Sequence, residues 1–169
     1  MVVWIDGDSV PRDVQSLLTR RAERDVAASK ENLITDQSSA APTIRFVCSK
    51  KLTLVPERLC EFVSPGPGAV DSFIESRSKG GDVVVTRDIP LAERLAARGI
   101  AVINDRGAAF SKNNVAQRRS ERDASLELRN LGLLPPSPKG NTRAARDTKA
   151  FADSLDRILT SLAKAAGRP

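Results

Sequence analysis

Two aspartates one residue apart, Asp6 and Asp8, end the apolar opening run in WIDGDSV, residues 4–10. Like charges held this close cost free energy unless a cation sits between them. Two more acids of interest lie far along the chain. Asp71 follows the loop SPGPGAV (64–70), and Asp88 stands two residues beyond Thr86. Carboxylates are hard oxygen ligands suited to Mg²⁺ or Mn²⁺. An ion so held lowers the pKa of a bound water and neutralises charge growing on a phosphoryl group. Metal-assisted phosphodiester hydrolysis is the chemistry that suits such a set. Asp6 and Asp88 are the expected principal ligands. Asp8 and Asp71 are expected as secondary ligands or a water-orienting base, and Thr86 as a hydrogen-bonding group to a metal-bound water or a phosphate oxygen.

For these acids to meet, the chain must place them on one edge. Val2–Ile5 is all apolar, as expected of a strand buried on both faces of a parallel sheet. Ser9 reads as an N-cap with Pro11 in the first helical turn, and Val10, Val14, Leu17, Leu18 and Ala22 fall at helical spacing. Residues 25–43 turn polar and small, an exposed insertion or a frayed helix end. Strands are expected over 44–48, 59–63, 82–86 and 100–103, with helices opened by Val70 and by Asp88 between them. This alternation predicts an α/β fold, a three-layer α/β/α sandwich around a mainly parallel sheet of five strands. In such a sheet ligands bind beyond the strands' carboxyl ends, near the point where strand order reverses. Asp6, Asp8 and Asp88 belong to that edge, and Asp71 can face the same crevice. The domain is expected over 1–133. LLPPSPKGN (133–141) breaks the pattern, and 134–169 supplies a linker and a C-terminal amphipathic helix with Phe151, Leu155, Ile158, Leu159 and Leu162.

Composition narrows the chemistry. The chain has no His, which removes Ser-His-Asp and Cys-His nucleophiles and His-containing metal sites. It has no Tyr, and aromatics are 4%, so a base-stacking platform is poorly supplied. Cys48 and Cys60 form no CxxC and read as reduced thiols of a cytoplasmic protein. No apolar run approaches the roughly 20 residues of a membrane span, and no export signal opens the sequence. Residues 1–105 carry 14 Lys and Arg against 15 Asp and Glu, whereas 106–169 carry 13 against 6. That basic rear can meet phosphates, and Arg118, Arg119 and Arg122 are its candidate nucleic-acid contacts. A solvated helix face explains the same three arginines.

Each acid also has a plain structural reading. Asp88 before Ile-Pro-Leu is an ordinary N-cap, Asp71 an ordinary helix-start aspartate, and Asp82 after two glycines a turn residue. Asp6 is hardest to explain this way, because a carboxylate ending a buried strand is costly to leave unpaired. Arg87 or Arg106 is the candidate partner if the site is purely structural.

VWIDGDSVP (3–11) and GDVVVTRDIPLAERLAARGIAVINDRG (81–107) resemble the YaiI/YqxD family of bacterial proteins. There a hydrophobic strand runs into DADACP, and a second strand runs into T-x-DIPLA, followed by an N-P-R-G turn. Asn113-Asn114-Val115 through Arg122-Asp123 also resembles the family, so the likeness runs from Val2 to about Leu133. It implies a PIN-like fold, whose nucleases bind Mg²⁺ or Mn²⁺ through acids at strand ends and cut RNA. Carried over, the family's acids fall on Asp6, Asp8, Asp71 and Asp88, with Thr86 beside the last. Four positions depart from the pattern. Ser9-Val10 stands for Ala-Cys, Asp105 for the turn proline, and Gly7 for an Ala, which is expected to loosen the turn.

Two rival functions fit parts of the same sequence. DGDSV suits the DxDx[TV] opening of HAD-type phosphatases, with Asp6 as nucleophile and 83–86 as the second motif. Residues 106–135 offer Lys112 but no following acidic pair, which those enzymes need. The other rival is a non-catalytic RNA- or protein-binding module, in which the acids are structural. A homodimer is compatible with either reading.

Overall fold

The opening run forms β1 (Val2–Asp6), whose Val3 and Ile5 are fully enclosed on one face while Trp4 packs on the other. The computed structural model describes residues 1–35, 41–133, 135 and 145–167. After β1 come α1 (Arg12–Thr35), β2 (Thr43–Cys48), a 3-10 turn (Glu57–Leu59) and β3 (Cys60–Phe62). Then follow α2 (Ala69–Arg77), β4 (Val83–Val85), α3 (Ile89–Ala97), β5 (Ala101–Ile103), β6 (Ala109–Phe110), α4 (Lys112–Asn130) and α5 (Ala145–Ala166). The expected polar insertion therefore begins as a continuation of α1. Residues 36–40 and most of the expected linker, 134 and 136–144, lie outside the described residues.

The sheet runs β3-β2-β1-β4-β5-β6, parallel throughout except for β6. Its six strands are one more than the five expected. The extra strand is a product of the Asn104–Gly107 turn. Asn104 Oδ1 accepts the N–H groups of Arg106 and Ala108 at 3.0 and 2.9 Å, and Gly107 takes φ 80°. That reversal lays Ala109 and Phe110 antiparallel on β5. Two residues are too few to show any period in a sequence.

Helices cover both faces, which is why β4 is valine throughout and wholly buried. On one face α1 and α5 pack Val14, Leu18, Phe151 and Leu155 against Ile5 and Phe46. On the other, α2 and α3 pack Ile74, Leu91 and Leu95 against Val84 and Val102. Arg119 of α4 pairs with Glu93 of α3 at 3.0 Å. The result is a three-layer α/β/α sandwich. α5 is seated closely: a Cβ on Gly107 would lie 2.6 Å from Ala150 O. Arg21 of α1 also pairs with Asp156 of α5, and Thr148 donates to Asp13 at 2.8 Å.

Strands β1, β2 and β3 step outward one way, and β4 returns to the other flank of β1. Strand order thus reverses between β1 and β4. The register pairs Ile5 with Val85, so Asp6 and Thr86 come next, side by side at the carboxyl edge.

Candidate metal centre

Asp6 is 4% exposed and ends β1 with both carboxylate oxygens engaged. Oδ1 accepts the Ser9 N–H at 3.2 Å, and Oδ2 accepts the Thr86 hydroxyl at 2.8 Å. Burial pushes its carboxyl above the usual range, against the pull of these hydrogen bonds, and the neighbouring Asp8 adds to the rise. Ser9 does not cap α1, which starts only at Arg12. It closes a turn instead, its N–H reaching Asp6 O at 3.2 Å and its hydroxyl accepting the Arg87 N–H at 3.3 Å. The turn is not loose at Gly7. Its N–H donates to Val47 O at 2.8 Å, and a Cβ there would meet Leu52 Cδ1 at 2.9 Å.

Thr86 is fully buried. Its one hydroxyl proton goes to Asp6, and its oxygen accepts the Asp88 N–H at 3.0 Å. Thr86 therefore positions the two acids, with no proton left for a water or a phosphate. Asp88 caps α3 as its sequence context suggests, accepting the Leu91 N–H at 2.7 Å with Oδ1. Asp8 turns away toward the end of β2, where the Ser49 N–H, at 3.2 Å, and the Ser49 hydroxyl both donate to it. Asp71 lies in the first turn of α2, behind the left-handed Gly68 at φ 67°. Its carboxyl is raised first by burial and then by the charges of Asp88 and Asp6, with Arg94 opposing from 3.8 Å.

Asp6, Asp8, Asp71 and Asp88 line one open cleft of about 750 Å³, together with Ser49 and Arg87. Among the described residues, neither Asp6 nor Asp88 forms an ion pair with Lys or Arg. Of the suspected neutralisers, Arg87 lines the cleft but has its Nε 3.8 Å from Asp105 Oδ1. Asp82, at the other edge, serves structure as expected. It accepts from the N–H groups of Val2 and Lys79 at 2.7 and 3.2 Å. Among the described residues no three acidic or thiol side chains stand close enough to cage a metal by themselves. The donor set fits an oxygen-loving ion that keeps several waters and uses only one or two carboxylates, the habit of Mg²⁺.

Ser49 and the cleft-lining role of Arg87 are missed by motif reasoning. Both follow the last residue of a central parallel strand closely, and that place in the chain was the available signal. Of the arginines expected to bind nucleic acid, Arg119 is exposed and tied to Glu93. Arg118 and Arg122 lie on α4, with side chains outside the described residues.

A family model described as "Uncharacterized BCR, YaiI/YqxD family" matches residues 4–161. The chain belongs to the YaiI/YqxD family. The match extends past Leu133, where the likeness of the motifs stopped, and takes in most of α5. A UPF0178 protein of Treponema pallidum (strain Nichols) is 37% identical over 99% of this chain and 86% of its own length. A UPF0178 protein of Pseudomonas fluorescens (strain Pf0-1) is 34% identical over 97% and 99%. One from Myxococcus xanthus (strain DK1622) is 32% identical over 97% of each. No solved structure matches the chain. Among the described residues no helix of this family member is long and apolar enough to cross a membrane.

Proposed function

We propose that this YaiI/YqxD protein is a divalent-metal-dependent nuclease that cuts RNA phosphodiesters. One observation carries the reading: four carboxylates from three separate stretches line a single cleft at the strand-order switch point. Asp6 and Asp88 are the residues that would hold Mg²⁺ or Mn²⁺, with Asp8 and Asp71 at the margin. A bound ion would supply an acidified water and charge neutralisation on the phosphoryl group. The chain's own part is to fix and space the oxygens. Thr86 sets Asp6 against Asp88 and Ser49 holds Asp8 outward, while Arg94, paired with Glu75, stands 3.8 Å from Asp71. Burial first, and neighbouring acids second, raise the carboxyls of Asp6 and Asp71, and a cation would offset both costs. The resemblance to PIN-like nucleases supports the substrate class, and cytoplasmic RNA is the proposed partner.

The test is cleavage of a labelled RNA with Mn²⁺, with EDTA, and with Asp6→Asn. Loss of cutting in the last two supports the reading, and equal cutting in all three ends it. A non-catalytic binding module is the second reading, favoured by the lack of a ready three-ligand cage among the described residues. RNA bound but never cut, with any divalent ion, would establish it. For the phosphatase alternative, fluoroberyllate trapped on Asp6 is the decisive observation.

A further inference from the structure

The cleft that gathers these acids has one basic lining residue among the described residues, Arg87. It stands between the buried Thr86 and the capping Asp88, and its backbone is fixed from across the switch point. The Arg87 N–H donates to Ser9 Oγ at 3.3 Å, which ties it to the turn after β1. Its guanidinium is half exposed. The nearest carboxylate among the described residues, Asp105 Oδ1, lies 3.8 Å from Nε, beyond a normal hydrogen bond. Asp105 is itself buried at the end of β5 and does not line the cleft. Arg87 thus has a rigid root, a loose electrostatic tether behind it, and open cleft before it.

Electrostatics says what such an arginine is for. A cleft of four carboxylates repels a polyanion, and one divalent ion offsets only half of their formal charge. A guanidinium presents paired N–H donors that match phosphate oxygens. The N-termini of α2 and α3 open on the same cleft, at Ala69 and Ile89, and add partial positive charge. We infer that Arg87 is the phosphate-holding residue of this cleft, binding a backbone phosphate of an RNA strand beside the reacting position. It lets go of Asp105 to do so. This inference rests on the nuclease reading of the site.

Binding of a fluorescent single-stranded oligoribonucleotide, with Ca²⁺ in place of Mn²⁺, tests it over a range of salt. Arg87→Gln is expected to weaken binding about tenfold. It should also reduce the slope of log K against log salt by about 0.7, the loss of one phosphate contact. Arg87→Lys should recover most of the slope. Lys79→Gln, which removes an exposed charge at the opposite sheet edge, should change neither quantity. Mn²⁺ affinity of Arg87→Gln without RNA should be unchanged or higher, because a positive charge has left the site. Wild-type binding and slope in Arg87→Gln overturn the inference while the nuclease reading stands. Loss of Mn²⁺ binding in that variant also overturns it, since Arg87 then acts on the acids. If the wild type binds neither Mn²⁺ nor the oligonucleotide, both readings fall.

Discussion

The Thr86 hydroxyl donates to Asp6 Oδ2 across 2.8 Å, joining the acid that ends β1 to the residue that follows β4. The Thr86 hydroxyl oxygen in turn accepts the Asp88 N–H, so one side chain sets the spacing of both principal acids. Thr86→Val keeps the shape and deletes the hydroxyl, leaving a buried carboxylate and a backbone N–H short of partners. The expected loss is about 2–4 kcal/mol in urea unfolding. Mn²⁺ affinity is expected to fall roughly 10–100-fold, as for other groups that orient metal ligands. Thr86→Ser should retain most of both.

Asp6→Asn removes one negative charge from the crowded edge and keeps the side chain's size. Mn²⁺ binding should vanish by calorimetry. The metal-free Tm should stay level or rise, because the buried charge and its repulsion with Asp8 are both gone. Equal Mn²⁺ affinity in the two proteins would count against Asp6 as a ligand.

Asp71 gives a pH signature with a definite sign. Its folded carboxyl is raised above the ordinary 3.8, by burial first and then by Asp88 and Asp6. The folded state therefore binds this proton more tightly than the unfolded chain does. Stability from this group is present at low pH, is lost as pH rises from the unfolded toward the folded pKa, and is flat above. Asp71→Asn cannot ionise and escapes that loss. Urea midpoints of metal-free wild type and variant, compared between about pH 4 and pH 7, should diverge in favour of the variant as pH rises.

Asp82 supplies the contrast at the far edge. It takes the N–H groups of Val2 and Lys79 and faces Trp4 Nε1 at 3.4 Å. Asp82→Ala should cost about 3 kcal/mol, the scale for losing hydrogen bonds to a buried charge. Mn²⁺ affinity should not change, because the lesion lies a strand's length from the cleft. Thermal and calorimetric measurements on one sample separate the two effects.

Much of this architecture is legible in residue patterns, and the gaps have physical causes. All-apolar runs such as Val83–Val85 announce strands covered on both faces, and Asp88 before Ile-Pro announces a cap. An acid that ends such a run stands at the carboxyl edge by topology alone, which is how Asp6 and Asp88 could be brought together from the sequence. The job of Ser9 could not be read in the same way, because any Ser ahead of a helix suits a cap. The Ser9 hydroxyl also accepts the N–H of Arg87, beyond the end of β4, a contact that no local spacing encodes. The pairing of Arg87 with Asp105 depends on β5 lying beside β4, and no local spacing encodes strand order. Gly7 misleads for a related reason, since the crowding that excludes a Cβ comes from Leu52 and Val47.

β1, made before the other five strands of the sheet, is an inner strand flanked by β2 and β4. Val3 meets its partner Val83 only after 80 more residues have been made. At roughly 5–20 residues per second, the nascent Val-Val-Trp-Ile segment waits roughly 4–16 s for that neighbour. Through this interval a sticky apolar ribbon is without half of its eventual cover. Biogenesis of this protein is therefore exposed to chaperone supply and translation speed.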